Sequence, residues 1–301
     1  MVIGESVRGT GHERRSQPCQ DAWAWKEING DHLCVAVADG AGSATHSDVG
    51  ARTAVATAVE RVAQSIIAPP ESMTNSPMLD SPTGELERWR SPLTQVIEAV
   101  QQELKLTAQQ QEISLRNLAC TLLIMLWTPS GIVALQVGDG AIIGRNHRGQ
   151  MVALTQPQQG EYANQTLFVI EDNAADQAQF VYWSSNTSNH GDTEDDGNNG
   201  GDRPCADNIS PLSHIALFSD GLQRLALELP SGKPFDPFFA PLFSFLDQAR
   251  DSLSNSTDPK EIFNNAANTL ETFLRSPRVT ARTDDDLTLV LITLAPNSLA
   301  P

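Results

Sequence analysis

The sequence contains few cysteines, and they are too scattered to form a recognisable motif. The four cysteines stand at positions 19, 34, 120 and 205, and no Cys-x-x-Cys pair is present. Cys34 and Cys120 fall inside apolar runs, where cysteine usually behaves as a small buried hydrophobic residue. We therefore expect buried thiols rather than a cysteine-based metal site.

Basic residues are also scarce. Thirty-seven acidic residues face twenty Lys and Arg, which gives a formal net charge of −17. Nonspecific nucleic-acid binding needs a basic surface to neutralise phosphates, so no nucleic-acid partner is expected. Most of this acidic charge is expected on the solvated surface, where it raises the local concentration of divalent cations.

Long apolar stretches are missing as well. The first fifteen residues lack the apolar core of a signal peptide, and no run approaches the length of a transmembrane helix. We therefore expect a cytoplasmic protein with no membrane partner. The length of 301 residues suits one large domain or two small ones.

Apolar runs alternate with amphipathic segments along the chain. The near-continuously apolar runs predict strands covered on both faces, at 33–38, 120–127, 131–137, 141–145, 214–219 and 287–294. Apolar residues at steps of three and four predict helices at 47–67, 93–106 and 258–274. Ser47 and Asp258 are the expected N-caps of the first and last of these helices.

Two polar segments interrupt this pattern. Residues 68–92 are rich in Pro and Ser and predict a long loop, and residues 184–211 are so polar that they predict a mobile insert. Strand-like runs of the same character resume after each segment. We therefore predict a single domain over residues 1–296.

Aspartates recur at the ends of the predicted strands. Asp-Gly pairs begin at Asp39, Asp139 and Asp220, and an acidic triplet at 284–286 precedes the last strand. One such pair alone is most simply a turn, and independent turns are the alternative for the whole set. If the strand ends converge, the carboxylates repel one another unless a cation neutralises them. Oxygen ligands without a His or Cys cluster indicate Mg²⁺ or Mn²⁺, and the glycines allow close backbone approach.

Five short motifs resemble, in their order and spacing, those of the metal-dependent Ser/Thr protein phosphatases of the 2C type, in particular the bacterial branch: "QDA" at 20–22, "VADGAGS" at 37–43, "VGDGAIIGR" at 137–145, "FSDGL" at 218–222 and "DDDLT" at 284–288. The resemblance extends over residues 3–294. It implies an α+β fold, a four-layer α-β-β-α sandwich with two central, mostly antiparallel sheets. It also implies a metal centre at one end of those sheets.

The resemblance implies two or three Mn²⁺ or Mg²⁺ ions as cofactors. Asp39 would bridge two ions, Gly40 would offer its carbonyl oxygen, and Asp220 and Asp285 would complete the first site. The family usually has Asn after the last ligand, whereas this chain has a third aspartate there. The choice of ligand within residues 284–286 is therefore open by one position.

Two further aspartates match family positions outside this first site. Asp139 matches a residue that helps to bind a third metal in bacterial members. Asp21 matches an outer position that contacts the metal through water.

Two family residues are absent. Animal members carry a His two residues after the bridging Asp and an Arg five residues before the Asp of the first motif, where this chain has Ala41 and Ser16. The general acid is therefore open. Arg15, Arg14 and His12 are the candidates for phosphate binding.

The implied activity is hydrolysis of phosphoserine and phosphothreonine on proteins. Asp39 and Asp220 would act through a metal-activated water that attacks phosphorus in line. The implied substrate is a phosphorylated Ser/Thr protein, and a cognate Ser/Thr kinase is a candidate partner. A catalytically weak or inactive phosphatase-like module that binds a phosphoprotein or a kinase is the alternative. The intact carboxylate set argues against that module, and the acidic balance argues against a metal-dependent nuclease.

Deletion of residues 186–204 is expected to leave folding and metal-dependent activity largely intact. The segment is too polar to contribute to a core, and shortening a long surface loop costs little. Thermal unfolding and phosphatase assays of the deletion variant check this expectation. A large drop in melting temperature would show that the segment packs against the domain.

Overall fold

The computed structural model describes residues 1–68, 82–158, 166–185, 210–254 and 256–294. The strands are β1 Val2–Val7, β2 Ala22–Ile28, β3 His32–Ala38, β4 Leu122–Thr128, β5 Gly131–Val137, β6 Ala141–Asn146, β7 Met151–Ala153, β8 Gln179–Ser184, β9 Leu212–Phe218, β10 Leu227–Glu228, β11 Lys233–Pro234 and β12 Leu287–Thr293. The helices are α1 Thr10–Arg14, α2 Ser47–Ile67, α3 Pro82–Gln110, α4 Ala174–Gln177, α5 Gln223–Ala226, α6 Asp236–Ser254, α7 Pro259–Leu274 and α8 Pro277–Thr280.

Two five-stranded sheets form the centre of the structure. One sheet has the order β1-β12-β9-β6-β7 and the other has the order β2-β3-β4-β5-β8, and neighbouring strands in both are antiparallel. Helices α2 and α3 cover the β2-to-β8 sheet, whereas α6 and α7 cover the β1-to-β7 sheet. This arrangement confirms the predicted four-layer α-β-β-α sandwich.

Each sheet has an apolar layer on both faces, which explains the continuously apolar strands. Successive side chains of a strand point to opposite faces. In β3, Cys34, Ala36 and Ala38 therefore pack against the helices, while Leu33, Val35 and Val37 pack against the other sheet. The small alanines face α2.

The predicted helix caps have different outcomes. The Asp258 carboxylate caps α7 by accepting a hydrogen bond from the backbone N–H of Lys260 at 3.0 Å, as expected. The prediction for Ser47 was wrong, because His46 occupies the N-cap position of α2. The Ser47 hydroxyl instead donates backward to the carbonyl of Ala44 at 3.3 Å.

The predicted loop at 68–92 is partly wrong. Residues 69–81 lie outside the described residues, but α3 begins at Pro82 and continues through Pro92. The helix persists because its apolar stripe extends to the N-terminal side of Pro92. Trp89 is 5% exposed and belongs to the same apolar core as Leu93.

The four outer strands of the two sheets were not predicted from the sequence. Strands β1, β2 and β8 contain many half-buried residues, so they lack the continuous apolar pattern, and β7 has only three residues. Strand β8 ends at Ser184 and β9 begins at Leu212, and residues 186–209 of the predicted insert lie outside the described residues. The single domain over residues 1–296 stays a prediction. Within the described ranges, the helices are too short or too polar for a membrane span.

Replacing Trp89 with alanine is expected to lower the free energy of unfolding by about 3 kcal/mol or more, because a buried aromatic side chain is lost from the core. Leu106→Ala, on the same helix at a residue 41% exposed, is expected to change it by less than about 1 kcal/mol. Urea denaturation of both variants in EDTA measures the difference. Equal unfolding midpoints would show that the N-terminal turns of α3 do not pack.

Candidate metal centre

Three strand ends meet at one edge of the sandwich. Asp39 follows β3 and Asp139 follows β5 in one sheet, whereas Asp220 follows β9 in the other sheet. Each of these half-buried aspartates offers a carboxylate oxygen, and the three oxygens all lie within 4.8 Å of one another. The packing of the two sheets therefore brings together carboxylates that are far apart in sequence.

Burial and mutual repulsion disfavour the ionised form of this cluster. Burial, followed by the charges of neighbouring aspartates, raises the pKa of Asp39 well above its ordinary value. The same causes raise the pKa of Asp220 to about 6. Burial is also the main cause of the raised pKa of Asp139. A cation among these oxygens would remove the repulsion and restore the ionised form.

Asp21 adds a fourth carboxylate beside the cluster. Its Oδ2 accepts a hydrogen bond from the hydroxyl of Ser219 at 2.7 Å. Its Oδ1 is buried without a hydrogen-bond partner within the described ranges. Burial raises the pKa of Asp21 to about 7. An unpartnered buried oxygen and an all-oxygen donor set fit a hard divalent cation such as Mg²⁺ or Mn²⁺.

The acidic triplet separates into three different environments. Asp284 and Asp285 are both exposed. The carboxylate of Asp284 forms an ion pair of 2.9 Å with Arg14. The charge of Asp285, in contrast, acts on the cluster and contributes to the raised pKa values of Asp39, Asp139 and Asp220.

Asp286 is buried and fastens the N-terminal segment to the cluster. Its two carboxylate oxygens accept hydrogen bonds from the backbone N–H groups of Gly9 and Gln20, each at 2.6 Å. The ring of His12, which is also buried, places Nδ1 2.9 Å from Asp286 Oδ2. The side chain of Asp286 is therefore saturated by protein contacts.

The glycines beside the aspartates are required by close packing. A Cβ atom on Gly221 would lie 2.1 Å from the carbonyl oxygen of Asp286. On Gly140 it would lie 2.6 Å from the carbonyl oxygen of Phe218, and on Gly40 2.7 Å from Cβ of Ser47. The backbone therefore comes as close at these positions as the Asp-Gly pattern predicts.

Several hydroxyl groups that hold the aspartates were missed from the sequence. Thr166 donates to Asp139 Oδ2 at 2.8 Å, and the Thr121 hydroxyl accepts from the backbone N–H of Asp39 at 3.0 Å. Ser219, which holds Asp21, lies inside the motif "FSDGL" and could have been suspected. Thr121 and Thr166 lie outside the motifs, so no signal in the sequence marks them.

The candidates for phosphate binding occupy different environments near α1. His12 is only 4% exposed, whereas Arg14 and Arg15 are exposed. The Nε of Arg15 donates to the carbonyl of Gly11 at 3.2 Å. The structure thus brings Arg15 and Arg14 to the surface and keeps His12 against Asp286.

Comparison with known proteins identifies the class to which this sandwich and its carboxylates belong. The sequence profile described as "Protein phosphatase 2C" matches residues 8–275. The chain is 31% identical over 294 residues to serine/threonine-protein phosphatase 3 of Escherichia coli (strain K12), with 96% of each chain covered. The chain therefore belongs to the protein phosphatase 2C family and is a metal-dependent Ser/Thr protein phosphatase.

Solved bacterial structures show the same fold. A serine/threonine phosphatase of S. agalactiae has a TM-score of 0.54 and 13% identity, with 98% of this chain and 99% of that chain covered. Stp1 from Staphylococcus aureus has a TM-score of 0.50 and 13% identity, with 98% and 96% covered. The predicted resemblance to the bacterial branch of the family is confirmed.

Asp286→Asn is expected to lower the free energy of unfolding by about 1–3 kcal/mol in EDTA. An amide has one acceptor oxygen, so one buried backbone N–H would lose its partner. The matched control is Asp284→Asn on the same loop, which removes an exposed ion pair worth about 0–1 kcal/mol. Urea denaturation compares the two. Equal loss in both variants would contradict the structural role of Asp286.

Proposed function

We propose that this phosphatase holds two divalent cations, Mn²⁺ or Mg²⁺, on the carboxylates of Asp39, Asp220 and Asp285 and on the carbonyl oxygen of Gly40. The observation that carries the proposal is the meeting of the strand-end carboxylates of Asp39, Asp139 and Asp220, whose oxygens lie within 4.8 Å of one another. When bound, such cations lower the pKa of a water molecule and stabilise the phosphoryl oxygens. The reaction is hydrolysis of phosphoserine and phosphothreonine on proteins.

Each aspartate has a separate task in this proposal. Asp39 would contribute negative charge to both ions, and Asp220 and Asp285 would complete the ligands of the first ion. Asp139 would hold a third ion. Asp21 acts from an outer position, because Ser219 occupies its Oδ2 and leaves Oδ1 able to accept a hydrogen bond from water.

Among the three residues of the triplet, we propose Asp285 as the ligand. Asp284 pairs with Arg14 at the surface, and Asp286 accepts two backbone hydrogen bonds. Asp285 is the member whose charge acts on Asp39 and Asp220.

The environment of Cys19 does not favour a role as a nucleophile. Burial raises the pKa of the Cys19 thiol strongly, and its Sγ contacts the carbonyl oxygen of Asp21 at 3.9 Å. The thiol therefore stays protonated near neutral pH, whereas a cysteine-dependent phosphatase needs a thiolate.

For the substrate's phosphate we favour Arg15, with Arg14 as the second candidate. Arg15 is exposed and donates only through Nε to the carbonyl of Gly11 within the described ranges, so its terminal nitrogens remain able to bind phosphate. Arg14 already contacts Asp284. His12 is the weakest candidate because it is buried beside Asp286. We further propose that a cognate Ser/Thr kinase supplies the phosphorylated substrate.

The direct test is Asp39→Asn. Turnover of p-nitrophenyl phosphate and of a phosphothreonine peptide with Mn²⁺ is expected to fall at least about a hundredfold, because an amide offers one neutral oxygen where the site needs charge. The melting temperature in EDTA is expected to stay equal or rise, since repulsion from Asp220 is removed. The control is Asp31→Asn, which precedes the opposite end of β3.

Two outcomes would contradict the proposal. Full Mn²⁺-dependent turnover of Asp39→Asn, together with a lower melting temperature, would support a turn instead of a metal bridge. A folded wild-type protein without turnover of either substrate would support the inactive binding module. A DNA-cleavage assay run in parallel tests the alternative that the protein is a metal-dependent nuclease.

A further inference from the structure

An apolar groove opens on the outer face of the helical layer that covers the β1-to-β7 sheet. Its volume is about 730 Å³, within the usual range of ligand-binding pockets. Helices α6, α7 and α8 form its walls, with Phe238, Phe245 and Phe273 among the lining side chains. Phe235, which directly precedes α6, also lines it and is 38% exposed, which is unusual for a large apolar side chain.

One end of the groove is built by the segments that carry the proposed metal ligands. Leu225 lines the groove and follows Asp220 by five residues, and Arg282 lines it three residues before Asp285. Successive Cα atoms lie 3.8 Å apart, so Arg282 is within about 11 Å of Asp285. A chain bound in the groove can therefore continue into the metal centre within a few residues.

Two arginines give the groove a charge opposite to that of the whole protein. Arg278 and Arg282 line it and are exposed, and the side chain of neither forms an ion pair or a hydrogen bond with another described residue. Arg275, nearby, is in contrast paired with Glu271 at 2.9 Å. In a chain of net charge −17, unpaired guanidinium groups beside an apolar floor complement a ligand with both apolar and acidic side chains.

We propose that this groove binds a segment of the phosphoprotein substrate that lies a few residues from the phosphorylated side chain. Large apolar side chains of the segment enter the groove, and an acidic residue contacts Arg278 and Arg282. The proposal rests on the proposed phosphatase function, because one substrate chain then occupies both sites. Binding in the groove raises the effective concentration of the phosphorylated residue at the metal centre.

The experiment uses a fluorescein-labelled, unphosphorylated peptide with a Phe and a Leu three residues apart, followed by two Asp. A second peptide has Ala in place of Phe and Leu. Fluorescence anisotropy with the full-length protein and Mn²⁺ is expected to show binding of the first peptide at least about tenfold tighter than the second. Arg278→Glu and Phe235→Ser should each weaken binding about tenfold, whereas Lys260→Glu, a charge reversal on α7 outside the groove, should not.

Activity assays separate this proposal from the phosphatase function itself. Turnover of p-nitrophenyl phosphate is expected to stay unchanged in Arg278→Glu and Phe235→Ser. In the same two variants, the kcat/KM for a phosphothreonine peptide that carries the Phe-Leu-Asp segment is expected to fall to the value for a phosphothreonine peptide without that segment. A wild-type protein that does not hydrolyse p-nitrophenyl phosphate would instead contradict the proposed function. The anisotropy measurement would still test peptide binding in the groove.

Three results would overturn the groove proposal. The first is equal binding of the two unphosphorylated peptides, and the second is unchanged peptide binding by Arg278→Glu. The third is a dimer in sedimentation that Phe235→Ser dissociates. The last result would assign the groove to a second copy of the chain. Arg278 is exposed, so its variant is expected to fold and keeps the test valid if Phe235→Ser does not fold.

Discussion

Repulsion among carboxylates is the constraint around which this structure is arranged. The ends of three strands bring carboxylate oxygens of Asp39, Asp139 and Asp220 within 4.8 Å of one another, and burial raises the pKa of each residue. A fold that only needed stability would not place these charges together. Two apolar-packed sheets supply the rigidity that keeps the strand ends in place, and a divalent cation is the partner that their oxygens fit.

Hydrogen bonds from neighbouring hydroxyl and backbone N–H groups hold the aspartates of the site in place. Ser219 binds Asp21, Thr166 binds Asp139, and the carboxylate of Asp286 ties two backbone N–H groups of the N-terminal segment to the loop before β12. These contacts connect the first and last parts of the chain at one site. They explain why the motifs are spread over the whole sequence although their side chains serve one centre.

Much of the architecture could be predicted because its central strands are buried on both faces. Strands such as β3 and β5 have continuous apolar runs. The edge strands were missed, because β1, β2 and β8 are mixed in composition and β7 has only three residues. The part of α3 that precedes Pro92 was missed because Trp89 is held by tertiary packing, which can override the local signal of a proline.

The positions of the aspartates could also be predicted, but the sequence did not show which role each of residues 284–286 has. Three consecutive carboxylates are chemically identical in the sequence. An ion pair with Arg14 distinguishes Asp284, backbone hydrogen bonds distinguish Asp286, and both depend on residues near the opposite end of the chain. The comparisons establish the family, and the proposed ligand set and the peptide groove extend that result to particular residues of this protein.

We propose that the clustered carboxylates form a binding site for divalent cations. Isothermal titration of the metal-free wild-type protein with Mn²⁺ near neutral pH tests it most directly. We expect saturable binding of two or three ions with release of protons, because the raised pKa values of Asp39, Asp139 and Asp220 leave part of the cluster protonated without metal. Absence of saturable Mn²⁺ binding by the folded protein would contradict it.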